Sequence, residues 1–329
     1  MVRVILAERR SAVLTPSSLA CLAQVPTVNL TVGCAHGCLY CYARGYSSYP
    51  GENTVVLYGN TLERLKDELA RKRRRPQAVY FSPSSDLFQP VAEVLALGQR
   101  VLEFLLSRGI GVAFLSKGHI PDGTMKLLIA HADRVRAQIG IITLDEDLQR
   151  LFEPHAASPK VRLEQMARLV SGGIATQARL VPVLPGLTDS PDSLGRLFRA
   201  IARAGVKRAT VSALFLRPAI AQFLRRNIPS PEIKEALFGC YRGARRLAVP
   251  AERSSVIALP WAKREEIYAR AKRLASEWGI ELSVCSCMNP DIAAENCGIS
   301  GRWPIQGSQL SFLDWAGRQG TARQVIVGY

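Results

Sequence analysis

Eight cysteines occur in this 329-residue chain, and six of them fall in two tight groups. Cys34, Cys38 and Cys41 lie within the segment GCAHGCLYCYAR, and Cys285, Cys287 and Cys297 lie near the C-terminus. In a chain of this size, with no export-signal pattern, clustered thiols point to metal binding rather than to a disulfide scaffold. Thiolates are soft ligands suited to iron–sulfur clusters or zinc. The first group has C-x3-C-x2-C spacing. Three ligands from one loop can hold three irons of a [4Fe–4S] cube and leave the fourth iron open to a substrate or cofactor. Zinc would want a fourth ligand, and His36 is the candidate inside the loop. The C-x-C pair with its later third cysteine is less specific. An auxiliary cluster, with either an open site or a fourth ligand from Cys240 or Cys21, a zinc knot and plain free thiols all stay open there.

The elements that must carry these residues follow a regular pattern. Short apolar or alternating runs bounded by Gly, Pro or Ser predict strands at Val28–Val32, Ala78–Phe81, Gly111–Leu115, Arg134–Ile142, Ala178–Val183 and Arg208–Ala213. Helical patterns lie between them, at Thr61–Arg74, Val91–Ser107, Asp122–Ala130, Pro159–Gly172 and Ser190–Ala204. Ser158-Pro159 and Ser190-Pro191 read as capping residues followed by first-turn prolines. The acids Asp145, Glu146 and Asp147 read as a helix start that complements the macrodipole. Strict alternation predicts an α/β fold with a parallel sheet and right-handed crossovers. Six units suit a partial (β/α)6 TIM-like barrel, with the active site at the C-terminal ends of the strands. The alternation fades after about Pro218. Residues 1–217 are therefore read as the barrel and 218–329 as a helical, cysteine-bearing C-terminal extension. That extension has helices at Ala219–Arg226, Pro231–Leu247 and Lys263–Trp278 and a short strand at Glu281–Val284. Arg179 sits inside a strand pattern, where a charge is expensive unless it faces a polar interior. A cofactor or substrate partner and an ion pair with Glu153 both explain it, and Gln138 is similarly placed.

Composition narrows the setting. Apolar residues make up 48% and charged residues 21%, enough for a full core. The N-terminus has no signal-peptide pattern and no apolar run is long enough to span a membrane, so a cytoplasmic, non-membrane protein is expected. No phosphate-binding glycine loop occurs. The net charge is +16, with one basic group at Arg71, Lys72, Arg73, Arg74 and Arg75 and another at Arg225, Arg226, Arg242, Arg245 and Arg246. Such groups attract polyanions, DNA or RNA among them, although a solvated helix face explains them too.

The string C-x3-C-x-aromatic-C, with Tyr40 as the aromatic, resembles the signature of the radical S-adenosylmethionine (SAM) superfamily. The longer string around GCAHGCLYCYAR is similar to the spore photoproduct lyase-like branch. Further matching segments follow in order: SSDLFQP at 84–90, Ser116-Lys117, LFEPHA at 151–156 and LPGLTD at 184–189. The resemblance implies a [4Fe–4S] cluster on Cys34, Cys38 and Cys41 whose open iron chelates SAM. It further implies reductive cleavage of SAM to a 5′-deoxyadenosyl radical, which abstracts hydrogen from a substrate, with an external one-electron donor such as flavodoxin or ferredoxin. By the same similarity Lys117 is the candidate for the methionyl carboxylate, and Tyr40, Ser85, Ser116, Gln138 and Arg179 complete a cofactor-binding set. Spore photoproduct lyases use a cysteine just after the second strand as hydrogen donor. This chain reads Phe81-Ser82-Pro83-Ser84-Ser85-Asp86 there, so substrate does not carry over. The expectation is a radical SAM enzyme acting on nucleic acid, with a second cluster at Cys285, Cys287 and Cys297. The alternatives are modification of a peptide or small molecule positioned by that second cluster, and a non-catalytic iron–sulfur module that binds nucleic acid.

Overall fold

Strands that are apolar along their whole length can be buried on both faces, and such strands build the centre of this fold. The computed structural model describes residues 2–17, 20–22, 25–248, 255–293 and 298–299. The chain opens with β1 (Arg3–Ala7), β2 (Thr27–Val28), β3 (Thr31–Val32), β4 (Thr54–Tyr58) and α1 (Thr61–Arg71). Regular alternation then begins with β5 (Ala78–Phe81), α2 (Ala92–Leu106), β6 (Gly111–Ser116), α3 (Asp122–Ala130) and β7 (Val135–Gly140). It continues through α4 (Glu146–Phe152), α5 (Pro159–Ser171), β8 (Ala175–Val183), α6 (Pro191–Arg203) and β9 (Arg208–Ala213). After these come α7 (Pro218–Asn227), α8 (Pro231–Gly239), β10 (Arg245–Ala248), β11 (Ser255–Ala258), α9 (Trp261–Ser276) and β12 (Glu281–Val284).

Among the described residues, seven strands form one sheet in the order β12-β9-β8-β7-β6-β5-β2, every pair parallel. Each crossover from β5 to β9 moves one place in the same direction. Right-handed crossovers that never reverse keep their helices on one side of the sheet, and the sheet curls into the expected partial TIM-like barrel. A second sheet, β1-β4-β3, pairs β1 parallel and β3 antiparallel to β4. It carries the start of the first cysteine loop.

Local chemistry explains the helix starts. Ser158, Ser190 and Ser230 each accept the N–H of the residue three places on, and Pro159, Pro191 and Pro231 occupy the first turn. Asp145 does the same for α4, accepting from Asp147 and Leu148. α6 buries Leu194, Leu197, Phe198 and Ile201, the spacing of one helical face.

Two expectations need correction. The single strand Val28–Val32 is two strands in different sheets, because Asn29 between them turns away. Its side chain accepts the Ser84 N–H, and its carbonyl takes a bond from Arg9. The helix drawn over Pro231–Leu247 ends at Gly239. Gly243 then adopts φ +74°, and Arg245–Ala248 pairs antiparallel with β11. No helix among the described residues is long and apolar enough to cross a membrane.

Candidate active site

The first cysteine loop leaves β3 through Gly33, where φ is +83° and a Cβ would stand 2.3 Å from the Thr54 carbonyl oxygen. Only glycine fits such an approach. Beyond it, Cys34, Cys38 and Cys41 are all free of disulfides and partly exposed. Their loop is clasped in three ways by two segments, one following β5 and one at the end of α4, beyond β7.

From the segment after β5, the Gln89 side chain accepts the Ala35 N–H at 2.9 Å and donates to Thr31 Oγ1 at 3.0 Å. Asp86 Oδ2 stands 3.1 Å from His36 Nε2, and the same carboxylate accepts the Ser116 hydroxyl, the Lys117 N–H and the Phe88 N–H, each at 2.8 Å. Burial alone would raise the Asp86 carboxyl; His36 and these donors outweigh it and hold the group below its ordinary value. From the segment after α4, the Phe152 carbonyl accepts the Leu39 N–H at 2.9 Å, and the His155 N–H donates to the His36 carbonyl at 3.1 Å.

The third clasp is ionic. Glu153 is fully buried beneath the loop and accepts the Tyr40 hydroxyl. It pairs with Arg162 at 2.5 Å, and Lys117 Nζ lies 3.7 Å away. Here too burial would raise the carboxyl, but Arg162 and then Lys117 bring it below the ordinary value. Lys117 also lies over the Tyr40 ring, 5.1 Å from its centre.

The structure sorts the remaining expected site residues. Ser116 is buried and its hydroxyl is committed, donating to Asp86 and accepting the Gly118 N–H. The Ser82 and Ser85 hydroxyls are buried with no partner among the described residues, and Ser82 holds a left-handed backbone, φ +54°, unusual for a side-chain-bearing residue. Gln138 and Arg179 meet inside the barrel. Arg179 Nη1 donates to Gln138 Oε1 at 3.1 Å, and Gln138 Nε2 donates to Gln177 at 2.9 Å. Arg179 Nη2 lies 3.8 Å from Cys285 Sγ, so the second cysteine group enters the same interior. There the Cys287 thiol is pulled well below its ordinary value, first by hydrogen bonds from Cys21 and Cys285. Cys297 lies outside the described residues.

The chemistry of the loop thiols suits an iron–sulfur group. Burial pushes Cys38 up to about 12 against the opposing charge of Lys117, and burial raises Cys34 well above its ordinary value. Buried thiolates need a cation, and iron provides one. No three His, Cys, Asp or Glu side chains among the described residues are gathered into a single-ion site. The polar groups that hold the loop, Asp86, Gln89, Glu153 and Arg162, are absent from the sequence-based site set. Asp86, Gln89 and Glu153 fall inside the quoted segments SSDLFQP and LFEPHA.

Comparison with known proteins bears on this arrangement. A sequence model described as the Radical SAM superfamily matches residues 28–197, from β2 through the cysteine loop and into α6. An uncharacterized protein of Mycobacterium tuberculosis, Rv2578c, is 31% identical over 200 residues, which cover 58% of this chain and 59% of that protein. The chain thus spans about three fifths of such a relative's length. A protein of Pseudomonas phage M6 named as a radical SAM Nα-GlyT isomerase is 26% identical over 257 residues, covering 77% of this chain and 51% of its own. Among solved structures, a spore photoproduct lyase variant superposes with a TM-score of 0.66 at 14% identity, covering 86% of this chain and 82% of that one. A spore photoproduct lyase complexed with dinucleoside spore photoproduct gives 0.64 at 14% identity over the same shares. The matched span, which includes all three loop cysteines and the strands that clasp them, shows that the chain belongs to the radical SAM superfamily of enzymes, whose cofactors are a [4Fe–4S] cluster and SAM, built on the fold of spore photoproduct lyases.

Proposed function

We propose that Cys34, Cys38 and Cys41 hold the catalytic [4Fe–4S] cluster and that the enzyme modifies or repairs a nucleic acid by abstracting hydrogen from it. The observation that carries the first part is the loop itself: three free thiols on one segment, fixed by Asp86, Gln89 and Glu153 at the C-terminal mouth of the barrel. With its electron from an external donor such as flavodoxin or ferredoxin, the bound cluster and SAM supply a 5′-deoxyadenosyl radical.

The chain's own residues orient and shield that chemistry. Lys117 sets a cation beneath Cys38, in reach of a carboxylate at the mouth. The Ser85 hydroxyl, buried and unpartnered among the described residues, is available to a bound cofactor. Gln138 and Arg179 present amide and guanidinium groups inside the barrel, where cofactor and target meet. Tyr40 and Ser116 act on cofactor binding by bracing the loop and the Lys117 turn. A second cluster at Cys285, Cys287 and Cys297 belongs to the same reading, supported by the entry of Cys285 and Cys287 into the interior.

Two observations favour nucleic acid. The exposed Arg225, Arg226, Arg242, Arg245 and Arg246 lie on α7 and on the turn and strand that follow α8, on the side of the cysteine loop. α7 meets that loop directly, through Arg217 Nη1 on the Tyr42 carbonyl at 3.3 Å and Arg44 over the Phe223 ring at 3.9 Å. The structurally similar spore photoproduct lyases bind a dinucleoside.

Anaerobic reconstitution with SAM and a strong reductant tests the proposal. 5′-Deoxyadenosine formation is expected to rise when DNA or RNA is added. A yield unaffected by nucleic acid would redirect the substrate to a peptide or small molecule. No 5′-deoxyadenosine from protein that contains its cluster would overturn the catalytic reading.

A further inference from the structure

Among the described residues no strand joins the two outer strands of the barrel sheet, β2 and β12, so the described sheet is open along that seam. A cysteine stands beside each. Cys21 lies on the turn Ala20–Leu22 shortly before β2, and Cys285 follows β12 directly, its N–H donating to the Val211 carbonyl at 3.1 Å. Cys287 packs in the same buried cluster as both. The three are buried, at 9%, 3% and 8% exposure, among Leu22, Val25, Tyr80 and Ala113.

We propose that Cys21, Cys285 and Cys287 together ligate a second iron–sulfur cluster, which fastens the open edges of the barrel to each other. The inference rests on the reading of the tail cysteines as an auxiliary cluster site and adds to it a ligand from the opposite edge. Four features support it. Three thiols free of disulfides in an apolar pocket form a set of soft ligands in which iron offsets the cost of buried thiolate. Three such thiolates suffice for three irons of a cube. The turn that presents two of them is built rigidly: buried Asn289 donates to Ser212 Oγ at 3.1 Å and to the Cys285 carbonyl at 3.0 Å, while its side-chain oxygen accepts the Tyr268 hydroxyl at 2.7 Å. β9, α9 and the turn are thereby locked together. Finally, Arg179 directs a cationic donor at Cys285 Sγ, the kind of outer contact that stabilises a ligated sulfur. Cys240, the other candidate for this role, stands apart at the end of α8, with its thiol 3.2 Å from the Ala236 carbonyl.

The test isolates the second centre by removing the first. The triple variant Cys34→Ala, Cys38→Ala, Cys41→Ala, reconstituted anaerobically, is expected to keep about four irons per chain with the Mössbauer signature of a [4Fe–4S] cluster. Adding Cys21→Ala should change the Mössbauer spectrum of that cluster and lower its iron content, and adding Cys240→Ser should leave both unchanged. Hydrogen exchange in β2 and β12 should quicken with the Cys21 substitution, while circular dichroism shows the chain still folded. An unchanged spectrum and iron content after loss of Cys21 would overturn the role of Cys21 and leave a tail cluster standing. A triple variant with no iron at all would overturn the auxiliary-cluster reading itself. One zinc per chain in place of the iron would overturn the assignment as an iron–sulfur cluster.

Discussion

Glu153 ties the first cysteine loop to the barrel by charge, and its burial makes it sensitive to the loss of either neighbour. Glu153→Gln leaves Arg162 buried beside a neutral group, and breaking a buried pair in this way costs on the order of 3–5 kcal/mol. The denaturant midpoint should fall accordingly, with lower iron content after reconstitution because the Tyr40 hydroxyl exchanges a charged acceptor for a weaker neutral one. Removing both charges with Glu153→Gln and Arg162→Met should recover part of the stability, because the buried guanidinium is gone while Lys117 still lacks its carboxylate and the Ala157 and Gly140 carbonyls lack their donor. Acid titration gives an independent check. The Glu153 and Asp86 carboxyls are held below their ordinary values in the folded chain, so the unfolded chain binds protons that the folded chain does not. Stability is therefore expected to be full above the ordinary carboxylate range near pH ~4 and to be lost as pH falls through the lower folded values. Glu153→Gln should flatten that loss, measured as the pH dependence of the unfolding midpoint. In the sequence, Glu153 is visible within LFEPHA, but Arg162 is just one of many arginines until α5 docks and buries it.

At the scale of elements, two substitutions that look equally mild should separate folding from cofactor binding. Ser190→Ala removes the cap of α6 and should cost about 1 kcal/mol, seen as a lower melting temperature with iron content unchanged. Gly33→Ala forces a Cβ against the Thr54 carbonyl at the base of the cysteine loop, in a backbone conformation that alanine resists. Iron per chain should fall sharply. Retention of a full complement of iron would show that the loop tolerates a shift at its base. The same contrast explains which elements were legible beforehand. Ser158-Pro159 and Ser190-Pro191 mark helix starts because a cap is a local interaction, read from adjacent residues. The break at Asn29 depends on Ser84 and Arg9, which are remote in sequence, and no local pattern encodes it. The cysteine spacing was legible for the local reason too: one loop supplies all three thiols. The sequence offered Cys21 and Cys240 equally as partners of the tail cysteines, and only the sheet, which brings its first and last strands around to each other, sets Cys21 beside Cys285 and Cys287.

Across the whole molecule, the sequence displays two basic groups without distinguishing them, and the fold sends them to opposite ends. Arg71, Lys72, Arg73, Arg74 and Arg75 are exposed at the end of α1 and lead into the start of β5, the N-terminal end of the sheet. Arg225, Arg226, Arg245 and Arg246 are exposed on α7 and β10, near the cysteine loop. A polyanion that serves as substrate must reach the loop, so only the second group can hold it productively. Replacing Arg225, Arg226, Arg245 and Arg246 with Gln should weaken binding of DNA or RNA and flatten its salt dependence, by roughly 0.9 in the log–log slope for each lost contact to duplex DNA phosphate. Replacing Arg73, Arg74 and Arg75 with Gln should leave the nucleic-acid stimulation of 5′-deoxyadenosine formation intact. Basal formation without nucleic acid should be the same in both variants, because neither touches the loop or its clasps. The reverse pattern, with stimulation lost only on substitution at the far end, would place the polyanion away from the three thiols and remove nucleic acid as the substrate.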